Sequence, residues 1–568
     1  MKNRIKLSPL ISDGAVLQRN RKNKIWGLVK SKSKEGRLAI HFAGAVIRVP
    51  VKADGSFEAE LLPMPAGGPY DLFIELFENT EAAAKKPPTK EILAETVIVR
   101  NLMIGDVWLL CGQSNMELPV SKTLDLYADE VKGACNPAVR IFDVPQEFDF
   151  HGPVEELEKG SWIPVTPESV YQFSALGYFF AEYVNKEEQV PVGLLQAGVA
   201  GAHIEAFIAE DGLLTAAKSL REAAGEKAAS CGCDKNDSCK YCYEQRLTQD
   251  KDDEYVVQTM AKEAERLQEW EADLRARDIG LNEQWYQKES LYPKGEERNA
   301  IKIPGIWDEA PEYEALAELR GSVWTSRRFV FPAHLKDKEA KLWLGTLLDA
   351  DETYLNGTLL GNTDYRYPQR RYPVPAGVLR EGKNVLTVRI TAKERAGGFV
   401  PQMPYYLECG GEKIELDGEW EYRIGTTTEP SPGMTFFLWH PCGLYNQMLY
   451  PLRKLQIKGM IFYQGESNTR HASDYEGLFR VFIEGIRELF CRPSLPVVFI
   501  QLPFYGMEDD ERGTDNWTRL REAQKQASDI PDTAMVDIYD LGFRYELHPQ
   551  NKKEVAKRVW SAVKNMDL

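Results

Sequence analysis

Five short apolar runs constrain the fold most strongly, because each has the composition of a β-strand buried on both faces. The runs are Val107–Cys111, Val192–Leu195, Gly459–Tyr463, Val497–Leu502 and Ala534–Ile538. Apolar residues recur at helical spacing between several of them, as in Phe173–Val184, Tyr475–Leu489 and Trp517–Ser528. Strands that alternate with helices build a parallel sheet. The sequence therefore predicts an α/β domain whose strands come from two segments, on either side of residues 211–430.

The remaining segments are rich in β-strand signals. Short strand-like runs alternate with turns before residue 97, and Asn356-Gly357 predicts a hairpin further along the chain. We therefore predict a multidomain chain of α/β and β parts in five segments. These are an N-terminal β-sandwich (1–97), the first part of the α/β domain (98–210), a helical, Cys-containing insertion (211–314), an inserted β-sandwich (315–425) and the second part of the α/β domain (426–568).

Charge and hydropathy exclude several classes of protein. The 568 residues carry a formal net charge of −16, and an acidic surface repels phosphate backbones, so we expect no nucleic-acid partner. No apolar run reaches the roughly 18–20 residues that a membrane span needs, so no membrane association is expected. The N-terminus lacks the apolar segment of a signal peptide, which favours a cytoplasmic protein. The oligomeric state is left open.

A serine stands directly after the first predicted strand, where its hydroxyl could act as a nucleophile. Ser114 stands in Cys111-Gly112-Gln113-Ser114-Asn115, where the strand ends and helix-forming sequence begins. Open parallel sheets bind ligands at the carboxyl ends of their strands. A serine hydroxyl is a weak nucleophile and needs a general base close by. From spacing alone, the alternative is a serine that only caps the following helix.

The base must be one of seven histidines, and His548 follows the last predicted strand. A loop there could reach the same sheet edge as Ser114, although an exposed loop histidine is the alternative. His203 and His440 are candidates for a substrate pocket. A third polar cluster, Gln464-Gly465-Glu466, directly follows the strand at 459–463. Such groups can stabilise an oxyanion or orient an imidazole.

Together these motifs resemble one family. The stretches CGQSNM (111–116), GLLQAGVAGAHIEAF (193–207), LYNQMLYPL (444–452), GMIFYQGESN (459–468) and HP (548–549) are similar to those of the sialate O-acetylesterase family, within the SGNH/GDSL hydrolases. The resemblance implies a flavodoxin-like hydrolase domain that needs no catalytic cofactor. It also implies that the inserted β-sandwich is a galactose-binding-like or jelly-roll module.

The same resemblance assigns roles to residues. Ser114 would be the nucleophile and His548 the base. The oxyanion hole would be formed by the N–H groups of Ser114 and Gly201 and by the side chain of Gln464, with Asn468 as the alternative to Gln464. The second motif departs from the usual family pattern, because Val199-Ala200-Gly201-Ala202 stands where W-G-G-T is typical.

The triad acid has two main candidates. Related sequences often carry an Asp two or three positions before the histidine, where this chain has Tyr545 and Glu546. Glu546 and Glu466 are therefore both open as the acid. Asp537 and Asp540 are more distant candidates.

The function implied is hydrolysis of the O-acetyl esters of sugars through an acetyl-serine intermediate, with O-acetylated sialic acid as the leading substrate. Acetylated xylan or another plant glycan is the alternative within the same chemistry. A non-catalytic carbohydrate-binding scaffold is the alternative outside it. Separately, Cys231, Cys233, Cys239 and Cys242 have a spacing that suits a structural zinc site, although exposed free thiols fit the same spacing.

Overall fold

The computed structural model describes residues 4–30, 36–79, 91–224, 243–309, 313–394, 396–506 and 515–566. These residues form a mixed α/β structure with several β-sheets. The strands are β1 (Ile5–Leu7), β2 (Val16–Gln18), β3 (Asn23–Val29), β4 (Arg37–Phe42), β5 (Ala45–Pro50), β6 (Ser56–Leu61), β7 (Gly67–Asn79), β8 (Glu91–Gly112), β9 (Asn136–Asp143), β10 (Trp162–Val165), β11 (Val192–Gly198), β12 (Asn299–Ile303), β13 (Gly305–Ile306), β14 (Gly321–Phe331), β15 (Ala340–Leu348), β16 (Ala350–Leu355), β17 (Thr358–Thr363), β18 (Gln369–Val374), β19 (Gly382–Ala392), β20 (Gly398–Phe399), β21 (Tyr405–Cys409), β22 (Glu412–Glu415), β23 (Gly418–Thr427), β24 (Gly459–Tyr463), β25 (Val497–Ile500) and β26 (Thr533–Val536). The α-helices are α1 (Ser114–Glu117), α2 (Leu124–Val131), α3 (Ala175–Glu188), α4 (Glu210–Ala224), α5 (Tyr243–Asp250), α6 (Asp253–Arg277), α7 (Ile279–Asn282), α8 (Glu314–Ala317), α9 (Ala472–Leu489), α10 (Asn516–Gln526) and α11 (Lys552–Lys564).

The chain divides into two compact units. The first unit contains residues 1–253, 436–544 and 548–568, and the second contains residues 254–435 and 545–547. Both units are therefore built from segments that are not contiguous in the sequence.

A parallel sheet forms the centre of the first unit. Its strands lie in the order β9-β11-β8-β24-β25-β26, and β10 joins β9 in antiparallel pairing at one edge. The five apolar runs are confirmed as strands of this sheet, namely β8, β11, β24, β25 and β26. Every residue of β11, β24 and β25 is buried, as expected for strands covered on both faces. The predicted helices are also present, as α3, α9 and α10.

β8 is the strand of this sheet from which neighbouring strands are added on both sides. β11 pairs with one side of β8 and β24 pairs with the other, both in parallel. Chain connections leave such a strand toward opposite sides, and a crevice opens at its carboxyl end. The residues that follow β8, β11 and β24 are therefore brought to the same edge.

The N-terminal strands continue into the central sheet. β1, β3 and β6 form a small antiparallel sheet, while β4, β5 and β7 belong to the same sheet as β8. β8 pairs with β7 along its first part and with β11 and β24 along its last part. Residue 97, where the predicted N-terminal segment ends, therefore lies inside one continuous strand.

The second unit contains two antiparallel sheets. One has the order β12-β23-β14-β19-β16-β17, and the other contains β13, β20, β15, β21 and β22, with β18 paired to β15. Asn356 and Gly357 both have positive φ, 49° and 85°, as the predicted hairpin between β16 and β17 requires. β12 lies within the segment predicted to be helical, yet it pairs with β23. The charged helical stretch is present as α6.

Among the described residues, no helix has both the length and the apolar composition to cross a membrane.

Candidate active site

The turn between β8 and α1 places Ser114 at the carboxyl edge of the central sheet. β8 ends at Gly112, whose φ is +137° and where a Cβ atom would lie 2.0 Å from the Tyr463 carbonyl oxygen. Glycine is therefore required there for the ends of β8 and β24 to approach each other. Ser114 begins α1, and its N–H has no hydrogen-bond partner in the described part of the chain, as is usual for the first turn of a helix.

The structure brings Ser114 and His548 together across 434 positions of sequence. Nε2 of His548 lies 2.8 Å from Oγ of Ser114. This is hydrogen-bond distance, and an unprotonated Nε2 accepts the hydroxyl proton in such a pair. The two residues have the geometry of a serine and its general base.

The surroundings of His548 keep its imidazole neutral. Burial lowers the pKa of His548 to about 4, and the positive charge of Lys552 contributes to the lower pKa. At neutral pH the ring is therefore unprotonated and can accept a proton.

Four other histidines are engaged elsewhere. His41, His151 and His334 lie within hydrogen-bond distance of Glu75, Asp253 and Glu412, respectively. Nδ1 of His440 lies 3.0 Å from Oδ2 of Asp250, and its Nε2 lies 3.2 Å from Nη1 of Arg246.

His203, a candidate pocket residue, lies near the loop after β11, with its ring centroid 6.2 Å from that of Trp439. Burial lowers the pKa of His203.

The loop after β11 holds Gly201 beside the nucleophile turn. Ala200 donates its N–H to Oε2 of Glu117 at 2.8 Å, and its carbonyl accepts a hydrogen bond from Nε1 of Trp439 at 2.8 Å. Gly201 has φ +75°, and a Cβ atom there would lie 2.3 Å from the Trp439 ring. Within the described residues, the Gly201 N–H donates no hydrogen bond. Ser114 and Gly201 thus each contribute one N–H group that remains able to donate.

Gln464 does not have the geometry predicted for an oxyanion donor. Its Nε2 donates to the Ala202 carbonyl at 3.2 Å and to Oδ1 of Asn468 at 2.7 Å, while its Oε1 accepts a hydrogen bond from Tyr475. An amide nitrogen has two hydrogens, and both are used within the protein. Gln464 therefore fixes the loop rather than presenting a donor to a ligand. Asn468, the alternative, donates its Nδ2 to Glu205.

A buried network beside the nucleophile includes Asn115 and Lys552, two residues whose roles no sequence motif indicated. Nζ of Lys552 donates to Oδ1 of Asn115 at 2.7 Å and to the Pro549 carbonyl at 2.7 Å. Nδ2 of Asn115 donates to Oε1 of Glu466 at 2.6 Å. The network joins the residue after Ser114 to the loop after β24 and to the start of α11. The sequence around Lys552 is charged, which is typical of a solvent-exposed helix face, so it did not predict that Lys552 is buried.

Glu466 and Glu546, the two candidate acids, lie in different surroundings. The carboxylate of Glu466 is buried, its Oε2 has no hydrogen-bond partner among the described residues, and burial raises its pKa. In the second unit, Oε1 of Glu546 accepts a hydrogen bond from Nε2 of Gln369.

Asp537 and Asp540, the more distant candidates for the acid, both have partners near the surface. Asp540 pairs with Arg558 at 2.7 Å, and Asp537 accepts the Tyr539 N–H at 2.9 Å. Their carboxylates serve surface contacts, so neither is retained as the acid.

The predicted zinc ligands Cys231, Cys233, Cys239 and Cys242 lie outside the described residues. Within the part of the chain that is described, no group of three or more His, Cys, Asp or Glu side chains is arranged to hold a metal ion.

Comparison with known proteins gives a consistent result for the segments that carry Ser114 and His548. The family described as "Carbohydrate esterase, sialic acid-specific acetylesterase" matches residues 104–230 and 424–559. The sialate O-acetylesterase of Mus musculus is 28% identical over 152 residues, which are 26% of this chain and 26% of that protein. The sialate O-acetylesterase of Homo sapiens is 25% identical over 186 residues, covering 32% of this chain and 30% of that protein.

A solved structure is similar over nearly the whole chain. The crystal structure of a carbohydrate acetylesterase from Xanthomonas citri aligns with a TM-score of 0.53 and 20% sequence identity. The alignment covers 99% of this chain and 74% of that chain, so it supports the fold. The two segments that carry Ser114 and His548 are therefore similar to the carbohydrate esterase family of sialic acid-specific acetylesterases.

Proposed function

We propose that this protein is a serine esterase that removes O-acetyl groups from carbohydrates, with O-acetylated sialic acid as its leading substrate. The observation that carries the proposal is the 2.8 Å contact between Oγ of Ser114 and Nε2 of His548 at the carboxyl edge of the parallel sheet. The family match to the segments that hold both residues supports the substrate class.

The proposal includes a domain assignment. We assign the flavodoxin-like SGNH hydrolase domain to residues 98–210 and 426–568, because the five strands β11-β8-β24-β25-β26, which β9 extends at one edge, have the strand order 2-1-3-4-5 of that doubly wound fold. An N-terminal β-sandwich (1–97), whose last strand continues past residue 97 into the hydrolase domain, a mainly helical insertion (211–314) that also contains β12, and a galactose-binding-like sandwich (315–425) would complete the chain.

Acylation would start with transfer of the Ser114 hydroxyl proton to Nε2 of His548. Oγ then attacks the acetyl carbonyl carbon, and the carbonyl π electrons move to the oxygen. The N–H groups of Ser114 and Gly201 stabilise this oxyanion. When the tetrahedral intermediate collapses, the bond to the sugar oxygen breaks, and that oxygen takes the proton from His548. The products are the deacetylated sugar and acetyl-Ser114.

Deacylation would repeat these steps with water. Nε2 of His548 removes a proton from water, whose oxygen attacks the acetyl-enzyme carbonyl. The second tetrahedral intermediate collapses to acetic acid as its bond to Oγ of Ser114 breaks, and Oγ regains its proton from His548. The acetic acid then ionises to acetate in solution.

For the acid, we propose Glu546. A triad acid must be ionised to stabilise the imidazolium that forms during each step. Burial raises the pKa of Glu466, which disfavours its charged form. Glu546 stands two positions before His548, close to where related sequences carry an acid. Glu466 would instead position Asn115 and, through it, the nucleophile turn.

The test is acetate release from three substrates: 4-nitrophenyl acetate, O-acetylated sialic acid and acetylated xylo-oligosaccharides. We expect the wild-type protein to release acetate and to have its highest kcat/KM on O-acetylated sialic acid, and Ser114→Ala to abolish release from all three. Equal activity in Ser114→Ala would contradict the mechanism. A higher kcat/KM on xylo-oligosaccharides would replace the proposed substrate by a plant glycan. A wild-type protein without any release would favour the scaffold interpretation.

A further inference from the structure

A depression lies beside the proposed oxyanion hole and takes no part in the chemistry described above. It has a volume of about 350 Å³ and lies in the first unit. Its lining residues combine amide, carboxylate and apolar side chains, and they are Gln146, Glu147, Phe148, Leu438 and Gln447.

Gln146 connects this depression to the nucleophile turn. Its Nε2 donates to Oε1 of Glu117 at 2.9 Å and to the Gly198 carbonyl at 3.2 Å. Glu117 is the last residue of α1, which begins with Ser114, and its other carboxylate oxygen accepts the Ala200 N–H. One wall of the depression is therefore held by the same carboxylate that fixes the loop carrying Gly201.

A second connection runs through the aromatic residues beside Leu438. The Trp439 ring packs against Gly201, where it would lie 2.3 Å from an added Cβ atom. Phe436 stacks on Trp439 with ring centroids 4.1 Å apart and an interplanar angle of 21°. The Phe436 side chain is 49% exposed. An apolar surface therefore extends from the proposed oxyanion hole along residues 436–439 to the depression.

We propose that this depression binds an uncharged sugar unit attached to the acetylated sugar, so that the enzyme acts preferentially on linked glycans. The inference rests on the proposed esterase function and extends it to the neighbouring unit of the substrate.

The lining chemistry fits a neutral, hydroxyl-bearing ring. Within the described residues, Oε1 of Gln146 and Oε1 of Gln447 accept no hydrogen bond, so both can accept from sugar hydroxyls. Phe148 and Leu438 offer apolar surface, and pockets of this mixed composition are typical of small-molecule sites.

Charge and rigidity refine the assignment. Glu147 accepts hydrogen bonds from Lys159 and from Nε2 of Gln447, and these contacts lower its pKa and keep it ionised. A fixed carboxylate on the wall disfavours an anionic ligand. Gln447 is already held by its hydrogen bond to Glu147. Binding of a ligand would therefore cost little conformational entropy of this side chain.

The test compares O-acetylated sialic acid as the free sugar with the same sugar linked to lactose. For Gln447→Ala, we expect the ratio of KM for the linked substrate to KM for the free sugar to rise about 3- to 10-fold relative to wild type, which is the effect of one lost hydrogen bond. Gln258→Ala serves as the matched control, because it removes an exposed glutamine from α6 and should leave the ratio unchanged. An unchanged ratio in Gln447→Ala would overturn the inference.

Binding of lactose alone gives a second readout that does not depend on turnover. Calorimetric titration of lactose into Ser114→Ala should show binding that Gln447→Ala weakens by a similar factor. Lactose binding that is unaffected by Gln447→Ala, or absent altogether, would overturn the subsite. Absence of acetate release from every ester would instead overturn the proposed function, so the two failures are distinguishable.

Discussion

Lys552 donates a 2.7 Å hydrogen bond from its Nζ to Oδ1 of Asn115, the residue that follows the proposed nucleophile. The two are separated by 437 positions of sequence, and Lys552 is 1% exposed. A buried ammonium group is costly unless it is well hydrogen-bonded, and the Pro549 carbonyl supplies a further acceptor. The positive charge of Lys552 also lowers the pKa of His548. Removing this charge should therefore change the pH dependence of activity.

Replacing Lys552 by methionine should raise the pKa of His548, because it removes one of the two causes that lower this pKa. Protonated His548 cannot act as a base, so kcat/KM falls as the pH drops through its pKa. In Lys552→Met, this acid limb should lie at higher pH than in wild type, yet below the ordinary value of 6.5, because burial still lowers the pKa. Lys552→Arg keeps the charge and serves as the control. Acid limbs at the same pH in Lys552→Met and wild type would exclude the electrostatic role.

The wild-type protein itself should stay active at unusually acidic pH. With the pKa of His548 lowered to about 4, kcat/KM should be half-maximal near pH 4 rather than near 6.5. The measurement is the pH profile of kcat/KM on 4-nitrophenyl acetate, with circular dichroism at each pH to verify that the protein remains folded. An acid limb centred near pH 6.5 would show that burial does not control the base.

Gly201→Ala should reduce kcat by about 10²–10³-fold, the usual cost of losing one oxyanion-hole donor. An added Cβ atom would meet the Trp439 ring at 2.3 Å, and the φ of +75° disfavours any side chain, so the loop and its N–H must shift. Gly133→Ala is the matched control, because Gly133 has φ +79° with nothing within 4 Å of an added Cβ atom. Equal kcat in both variants would remove Gly201 from the mechanism.

The two candidate acids should respond differently to loss of charge. Glu546→Gln should lower kcat by about 10⁴-fold, the size of effect seen when a triad acid is neutralised in serine proteases. Glu466→Gln should cost much less, because the amide oxygen can still accept the hydrogen bond from Asn115. The comparison uses kcat on 4-nitrophenyl acetate. A loss of only a few fold in Glu546→Gln, with a large loss in Glu466→Gln, would reverse the assignment.

Local sequence patterns predicted the strands well where burial is complete. β24 begins and ends where the apolar run predicted, at Gly459 and Tyr463, because every residue of it is buried. β9 was missed, since its apolar run is interrupted by Arg140. That side chain is buried and donates to the carbonyls of Gly14 and Asn101, which compensates for the burial of its charge. A charged residue with distant partners cannot be recognised as a strand residue from its local sequence.

The candidate site likewise contains residues that local sequence motifs identified and residues whose roles depend on distant contacts. Ser114 was found because it stands at a strand end in a recognisable motif, and His548 because it follows the last predicted strand within the HP motif at 548–549. The role of Gln464 was not predictable, because its side-chain amide is oriented by hydrogen bonds to Ala202 and Asn468. Ala202 is far from Gln464 in the sequence, so that contact depends on the fold.

The predicted domain limit at residue 97 also has no counterpart in the sheet. β8 runs through this position and pairs first with β7 and then with β11 without a break.

The most direct test of the central claim, that His548 activates Ser114, is labelling by a fluorophosphonate followed by mass spectrometry. We expect a single covalent adduct on the peptide that contains Ser114, formed rapidly in wild type, absent in Ser114→Ala and at least 10²-fold slower in His548→Ala, about the smallest contribution of a general base. Labelling of another serine, or an equal rate in His548→Ala and wild type, would show that His548 does not activate Ser114.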